Sequence, residues 1–460
     1  MHASIGKPEV ALSASAAQKA LIAFQRFGLG AKPGGPDRIG ADPKGALGAE
    51  VQRTGIAKIS DSTLPSYAKA CEVSTYDGPT INEMLIQEID ARVDKQMSPE
   101  IGFVERLVLF WSNHFAMNNE KGSAVRGTLA QWERDVVRRH VLGRFSDMLL
   151  GTYAHPAMIA YLDNEESTGL HSARGLKKGI GNNHNLAREL LELHTLGSAG
   201  GYTETDVDVL ANILTGWSYV RGAESDNGTN GGTPTNRGQF IFRLDWHEPG
   251  SFNLMGKTYA AGGMEQLQKV LLDLAAHPST AEHIAFKLVR HFITDQPTPE
   301  LVDPIKQKYL KTNGDLKAVS LALLDLPGVW TAPLVKLRTP YEHIIAQYRA
   351  LGRRYADGST AQLVGPLAAV SNRLWEPDSP EGYSDETYTW LNPDAMRVRI
   401  DITRYVTNQI LPRTTLNVPA LASSIFSSAL SPETRNALNS TSNSNNALVV
   451  LFNSPEFQRR

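Results

Sequence analysis

The sequence predicts a mainly α fold, a large single helical domain spanning 1–460 with one small β-hairpin at about 240–259. Two observations carry this: apolar residues recur at helical spacing along most of the chain, and alternating, strand-like stretches are few and short. A third observation narrows it, because no repeat with a solenoid period runs through the chain.

The elements follow in order. SPEIGFVERLVLFWSNHFAMN offers Ser98 as an N-cap and Pro99 at the first helical position, so a long apolar helix is expected to run to about Asn118. A second runs from about Ser123 through His140, and a third carries MLLGTYAHPAMIAYL. The next is expected from Asn185 to Leu196, closed by Gly197 and the loop SAGGY. Thr203 and Asp206 then have capping-box spacing and open a helix to about Trp217.

Residues 221–238 (RGAESDNGTNGGTPTNRG) lack periodicity and read as a flexible loop. FIFRLDWHEPGSFNLMGKTY, 240–259, has the alternation and turn residues of a hairpin. Helices resume over 262–277, 279–294 and 299–325. The segment 423–446 is biased towards Ser and Asn, yet the chain ends on the apolar run ALVVLFNSPEFQRR, so that end should be docked.

Composition removes several function classes. Lys and Arg number 46 against 48 Asp and Glu, a formal net charge of -2, so no global field draws the protein to nucleic acid or an anionic membrane. Cys71 is the only cysteine, which rules out an intramolecular disulfide and a thiolate zinc cluster. No apolar run is long enough to span a membrane, and no secretory signal is visible at the N-terminus, which by itself reads as cytoplasmic. No P-loop, nucleophile elbow, HExxH or Rossmann fingerprint is present, and no cofactor or oligomeric state can be assigned.

The chemistry-bearing stretch is NNHNLARELLELHTLG. At about 100° per residue, Asn185, Arg188, Glu189 and Glu192 form a narrow polar stripe on a helix whose remaining surface is leucine and alanine. Arg188 and Glu192 make an ordinary i,i+4 pair of a kind common on helix surfaces, so the stripe reads as a sliver of surface or a buried ion-pair network as well as the wall of a cleft. Two carboxylates beside a guanidinium also suit chemistry: the arginine fixes one as the anion, and a less compensated neighbour can serve as general acid. His194 falls in the apolar arc, as a core histidine would, and His114 sits between Phe103, Leu107 and Phe110 on its own helix. A buried imidazole needs partners, either a carboxylate of the site or a backbone carbonyl. Asp163 and Asn164 lie in an acidic loop, LDNEES, whose default reading is solvation, and His247 sits beside Trp246 in a turn. Glu204 and Asp206 are accounted for by capping. His283, Lys287, Arg290 and His291 share one helix face, either solvated or an anion-binding wall.

The segments RFGLGAKPG, ERLVLFWSNHF, HPAMIAYLDN, NLARELLELHTLG with GGYTETDV and LTGW, HPSTAEHIAFKLVRHF and the terminal SPEFQRR, taken together, resemble the bacterial DUF1800 family over about residues 20–460. The resemblance implies a mainly helical, frequently exported protein whose function the family name leaves open. It carries recurring polar positions onto Asn113 and His114, Asp163 and Asn164, Asn183 and Asn185, Arg188, Glu189 and Glu192, and His247. Two departures stand out: His184 replaces a frequent Glu, and no obvious Lys follows the hairpin histidine.

The expectation is an enzyme, a hydrolase or lyase that cleaves a polar polymer such as a glycan by general acid/base catalysis. Glu189, Glu192, Asp163 and His114 are the catalytic candidates, and Arg188, Asn113, Asn164, Asn183, Asn185, Trp217 and His247 the substrate-binding ones. No metal ligand belongs to that reading. The alternatives are a metal-dependent enzyme using His114, Glu192, His247 and Asp163, or a non-catalytic protein with a buried polar network.

Overall fold

Proline, glycine and hydroxyl or amide caps cut the chain into short helices that bury their apolar faces on one another. The computed structural model describes residues 14–75, 78–221, 236–352, 367–368, 372–410 and 416–460, and is 60% helical. Residues 222–235, most of the expected loop, lie outside the described residues.

The central element is the helix Phe103–His114, in which only Leu109 and Asn113 escape full burial. Its start differs from the expected one. Ser98 closes the preceding helix, Pro79–Met97, and Gly102 (φ 90°) resets the chain direction. The free N–H groups of Gly102 and Val104 are satisfied by the Glu50 carboxylate, each at 3.0 Å. A cap supplied from a distant helix removes the need for the local Ser-Pro signal.

The expected helix 123–140 forms, but as Ser123–Trp132, a π-helical turn at Glu133–Val137, and Arg138–His140. MLLGTYAHPAMIAYL divides at His155-Pro156 into Phe145–Tyr153 and Pro156–Tyr161. The run 299–325 divides near Asn313-Gly314 into Pro299–Lys311 and Leu316–Leu323. The Thr203/Asp206 capping box forms as expected, but its helix ends at Leu214 and leaves Trp217 on a strand.

Among the described residues the β content is two small antiparallel pairs. Phe252–Leu254 and Lys257–Tyr259 make the hairpin, whereas Phe240–Phe242 pairs back on Trp217–Tyr219. The expected hairpin is therefore correct in its second half only; the strand at 240 finds an earlier partner.

The large apolar core is joined by a second cluster in which Val418, Leu448, Leu451, Phe452 and Phe457 close on Leu21 and Ala350. The C-terminal run is docked, down to Arg460, which is 1% exposed. The Ser/Asn-biased segment before it supplies caps: Ser431 and Asn443 are N-caps of short helices, as Asn417 is just upstream of the segment.

Candidate functional site

The polar helix begins where Asn183 ties two segments together. Its amide donates to the carbonyls of Leu162 and Asp163, at 3.1 and 2.7 Å, and its oxygen accepts from Asn185 N at 2.8 Å. The turn after Pro156–Tyr161 is thereby fastened to the start of Asn185–Glu189, and Asn183 is used by the backbone. Asn185 itself is exposed.

The helix is α only to Glu189; Leu190–His194 is a π turn. Inserting one residue per turn leaves the last carbonyls without helical partners, and such turns recur at functional sites. Here two histidines from other helices satisfy them. His114 Nε2 donates to His194 O at 3.1 Å, and His283 Nε2 donates to Leu193 O at 2.9 Å. His194 turns inward to the Tyr153 hydroxyl at 2.7 Å. Burial holds all three well below the ordinary histidine range, His194 at about 3 and His283 at about 4, so the two caps, His114 and His283, are neutral, as is His194. His114 is thus placed in an aromatic core, not beside the carboxylates.

Glu189 and Glu192 remain half-buried. The Glu189 carboxyl is raised, by burial first and then by the negative charge of Glu192, with Arg188 opposing. Tyr153 and Tyr161, both raised mainly by burial, also feel the Glu189 charge, and Tyr202 feels that of Glu192. Arg188 does not clamp either glutamate. It forks onto Glu204, at 2.8 and 2.7 Å, in an exposed pair. The capping account of Glu204 therefore needs amending, whereas Asp206 caps its helix and also accepts from Met255 N.

The remaining predicted residues are held by the scaffold. Asp163 (φ 56°) pairs with Lys121 at 2.8 Å near the surface. Asn164 is fully buried and donates to the Leu214 and Trp217 carbonyls. Trp217 packs on Phe240 inside the core. His247 has Thr215 O at 3.0 Å from Nδ1 and Gln266 Oε1 at 3.2 Å from Nε2, so both ring nitrogens are occupied. The proposed ligand set His114, Glu192, His247 and Asp163 is therefore not assembled, and no group of three or more metal-ligating side chains gathers among the described residues.

The sequence reading missed a second polar region. Glu133, on its π turn and 2% exposed, receives Arg92 Nε at 2.9 Å, Ser112 Oγ at 2.8 Å and Trp375 Nε1 at 3.1 Å, with Arg138 at 3.3 Å. Arg138 also forks onto Glu105, at 2.9 and 3.0 Å. Burial pushes the Glu133 carboxyl up, but Arg92 and Arg138 outweigh it and the net shift is down. A neighbouring group joins Glu342 to Arg106 and Arg460, and Asp385 to His291, at 3.2, 3.1 and 2.7 Å respectively. Burial opposes ionisation of Glu342, yet the two arginines hold it at about 2. On the basic face of Pro278–Phe292, His283 meets the Leu193 carbonyl, and Arg290 and His291 meet the protein's own Glu386 and Asp385.

Of these groups Arg92, His291, Glu342 and Asp385 line a cleft of about 90 Å³ between Phe103–His114 and the segment 372–385. Asn113 is the one predicted site residue on its wall. Its amide clamps the Tyr383 backbone in both directions at 2.8 Å. A side chain at Gly382 (φ 87°) would collide with Asn113 O, so glycine is required for this approach. The signal that could have revealed the region was Glu105-Arg106 inside an otherwise apolar helix, since buried charges must be paired.

The chain matches the family model described as Protein of unknown function (DUF1800) over residues 22–459, and belongs to that family. No curated protein and no solved structure matches it.

Proposed function

We propose that the protein is an enzyme working by general acid/base catalysis at the Glu189–Glu192 face, a hydrolase or lyase that cleaves a polar, hydroxyl-rich polymer such as a glycan. The observation that carries the reading is the half-buried Glu189, whose carboxyl is raised by burial and by Glu192 while its neighbouring arginine is engaged by Glu204. A raised carboxyl keeps its proton longer and can donate it to a leaving oxygen. Glu189 is the acid and Glu192 the base; Asn185 is exposed one turn before Glu189, and Tyr202 feels the charge of Glu192. His114 leaves the catalytic set because its Nε2 is spent on a backbone carbonyl. No metal participates in this scheme.

The test is incubation with a panel of soluble polysaccharides, read as new reducing ends or as the ultraviolet absorbance of an unsaturated product. Glu189→Gln and Glu192→Gln should each lower turnover by roughly 10²–10⁴-fold without unfolding the protein. Activity should fall as pH rises through the raised Glu189 value, above the usual glutamate value of about 4.3. That alkaline limb should vanish in Glu189→Gln. Full activity in both variants would overturn the assignment.

A further inference from the structure

We propose that a second cleft, between the loop 53–59 and the stretch 134–142, binds a small polyanion of phosphate type, a molecule carrying two or more negative charges on tetrahedral oxyanion groups. The inference is independent of the acid/base reading, because it uses none of the residues of that face.

This cleft encloses about 500 Å³, within the roughly 300–1,000 Å³ of small-molecule sites. Two local structures build it. Gly55 (φ 69°) turns the loop back on itself, with Ile56 N donating to Arg53 O at 3.3 Å and Lys58 N to Gly55 O at 3.0 Å, and both Arg53 and Lys58 are exposed. Opposite, the π turn Glu133–Val137 buries Glu133 but leaves Arg134 and Asp135 half-exposed, and Arg139 follows on the surface. Arg138 ties the two walls together. Buried itself, it donates to Ala57 O at 3.2 Å while forking onto Glu105.

Charge selects the ligand. The chain as a whole is close to neutral, with 46 Lys and Arg against 48 Asp and Glu, yet this lining sets Arg53, Lys58, Arg134, Arg138 and Arg139 against Asp135 alone. Arg134 and Arg138 are already answered, the first by Glu88 at 3.0 Å and the second by Glu105 and Glu133. Asp135 accepts from Gln131, and Asp61, which stands near Arg134 outside the lining, accepts from Thr63. Arg53, Lys58 and Arg139 take part in no ion pair among the described residues. Exposed cations elsewhere do find carboxylates, as Arg38 finds Glu100, Lys121 finds Asp163 and Lys257 finds Asp273. Three unanswered cations against one lining carboxylate leave a surplus of two positive charges, more than a monoanion can balance. A cleft lined by one sign of charge concentrates counter-ions, and arginine forks match phosphate oxygens.

Isothermal titration calorimetry on the full chain at low ionic strength tests this with sodium pyrophosphate and sodium acetate. Pyrophosphate should bind at least about tenfold more tightly than acetate, and its affinity should fall as sodium chloride is added. The triple variant Arg53→Gln, Lys58→Gln, Arg139→Gln alters exposed side chains only, so it should keep its circular dichroism spectrum and lose at least about tenfold in pyrophosphate affinity. Lys269→Gln, Lys308→Gln, Lys311→Gln removes the same charge from exposed positions outside the cleft, and should bind pyrophosphate as the parent chain does. No binding of pyrophosphate, acetate bound as tightly, undiminished binding in the first triple variant, or equal losses in both would each overturn the proposal. If the first triple variant fails to fold, the ligand ranking and the single variants Arg53→Gln and Arg139→Gln decide it.

Discussion

Glu189 and Glu133 both sit at the edge of a π-helical turn, both close to arginine, yet their carboxyls move in opposite directions. Burial raises each. At Glu133 two guanidiniums and two further donors outweigh it, whereas at Glu189 the arginine next in sequence reaches away to Glu204 and a second carboxylate stands alongside. Direction is set by how many cations arrive in the fold, not by the presence of Arg and Glu in the same stretch. One arrangement fixes a permanent anion and holds helices together; the other leaves a carboxyl able to exchange its proton.

The largest break of this contrast is Glu133→Gln. It leaves Arg92 without its carboxylate and Arg138 with Glu105 alone, deep in the protein. Removing one partner of a buried ion pair typically costs about 3–5 kcal/mol, because the surviving charge is uncompensated. Urea unfolding should report a loss of that size. A loss below about 1 kcal/mol would mean the group is far better hydrated than its burial implies, and the structural half of the comparison would fail.

Acid should act next. His155 and His194 are pushed down to about 3, and His283 and His291 to about 4, each by burial first. An unfolded chain takes up a proton near pH 6.5, so below that pH it binds protons the folded chain refuses. Stability is therefore full above about pH 6.5 and falls as pH drops towards 4, at up to roughly 1.4 kcal/mol per pH unit for each such histidine. Thermal denaturation from pH 7 to 5 should show a steadily falling midpoint. A midpoint flat or rising over that window would show that the caps on Leu193 and His194 carry charge.

Local signals were legible in the sequence. The capping box at Thr203 and the docked C-terminal run appear where spacing placed them, because caps and apolar stripes act within a few residues, whereas the helix expected to run to Leu196 ends at His194, two residues before the expected stop at Gly197. The polar stripe containing Glu189 and Glu192 was legible for the same reason. What failed was everything decided at a distance. Glu50 caps a helix that Ser98 was expected to cap. Trp375 reaches Glu133 across 242 positions, and Arg460 closes on Glu342 from the last residue of the chain. His114 looked like a member of the Glu189 site because the π turn, which needs its N–H, leaves no mark in a wheel drawn with α-helical spacing.

The smallest effect isolates the feature that separates the two glutamates. Arg188→Ala removes an exposed ion pair whose side chains are 41% and 73% accessible. Solvent and salt screen such a pair, so the midpoint of unfolding should hardly move. The consequence for Glu189 should be larger than that for the fold. Arg188 still lowers the Glu189 carboxyl from its present position, so its loss should raise the carboxyl further and move the alkaline limb of activity to higher pH. The carbon chemical shift of the Glu189 carboxyl, followed through a pH titration, measures the same movement without a substrate. An unmoved titration would mean that Glu204 neutralises Arg188 completely, leaving burial and Glu192 alone to hold the proton on Glu189.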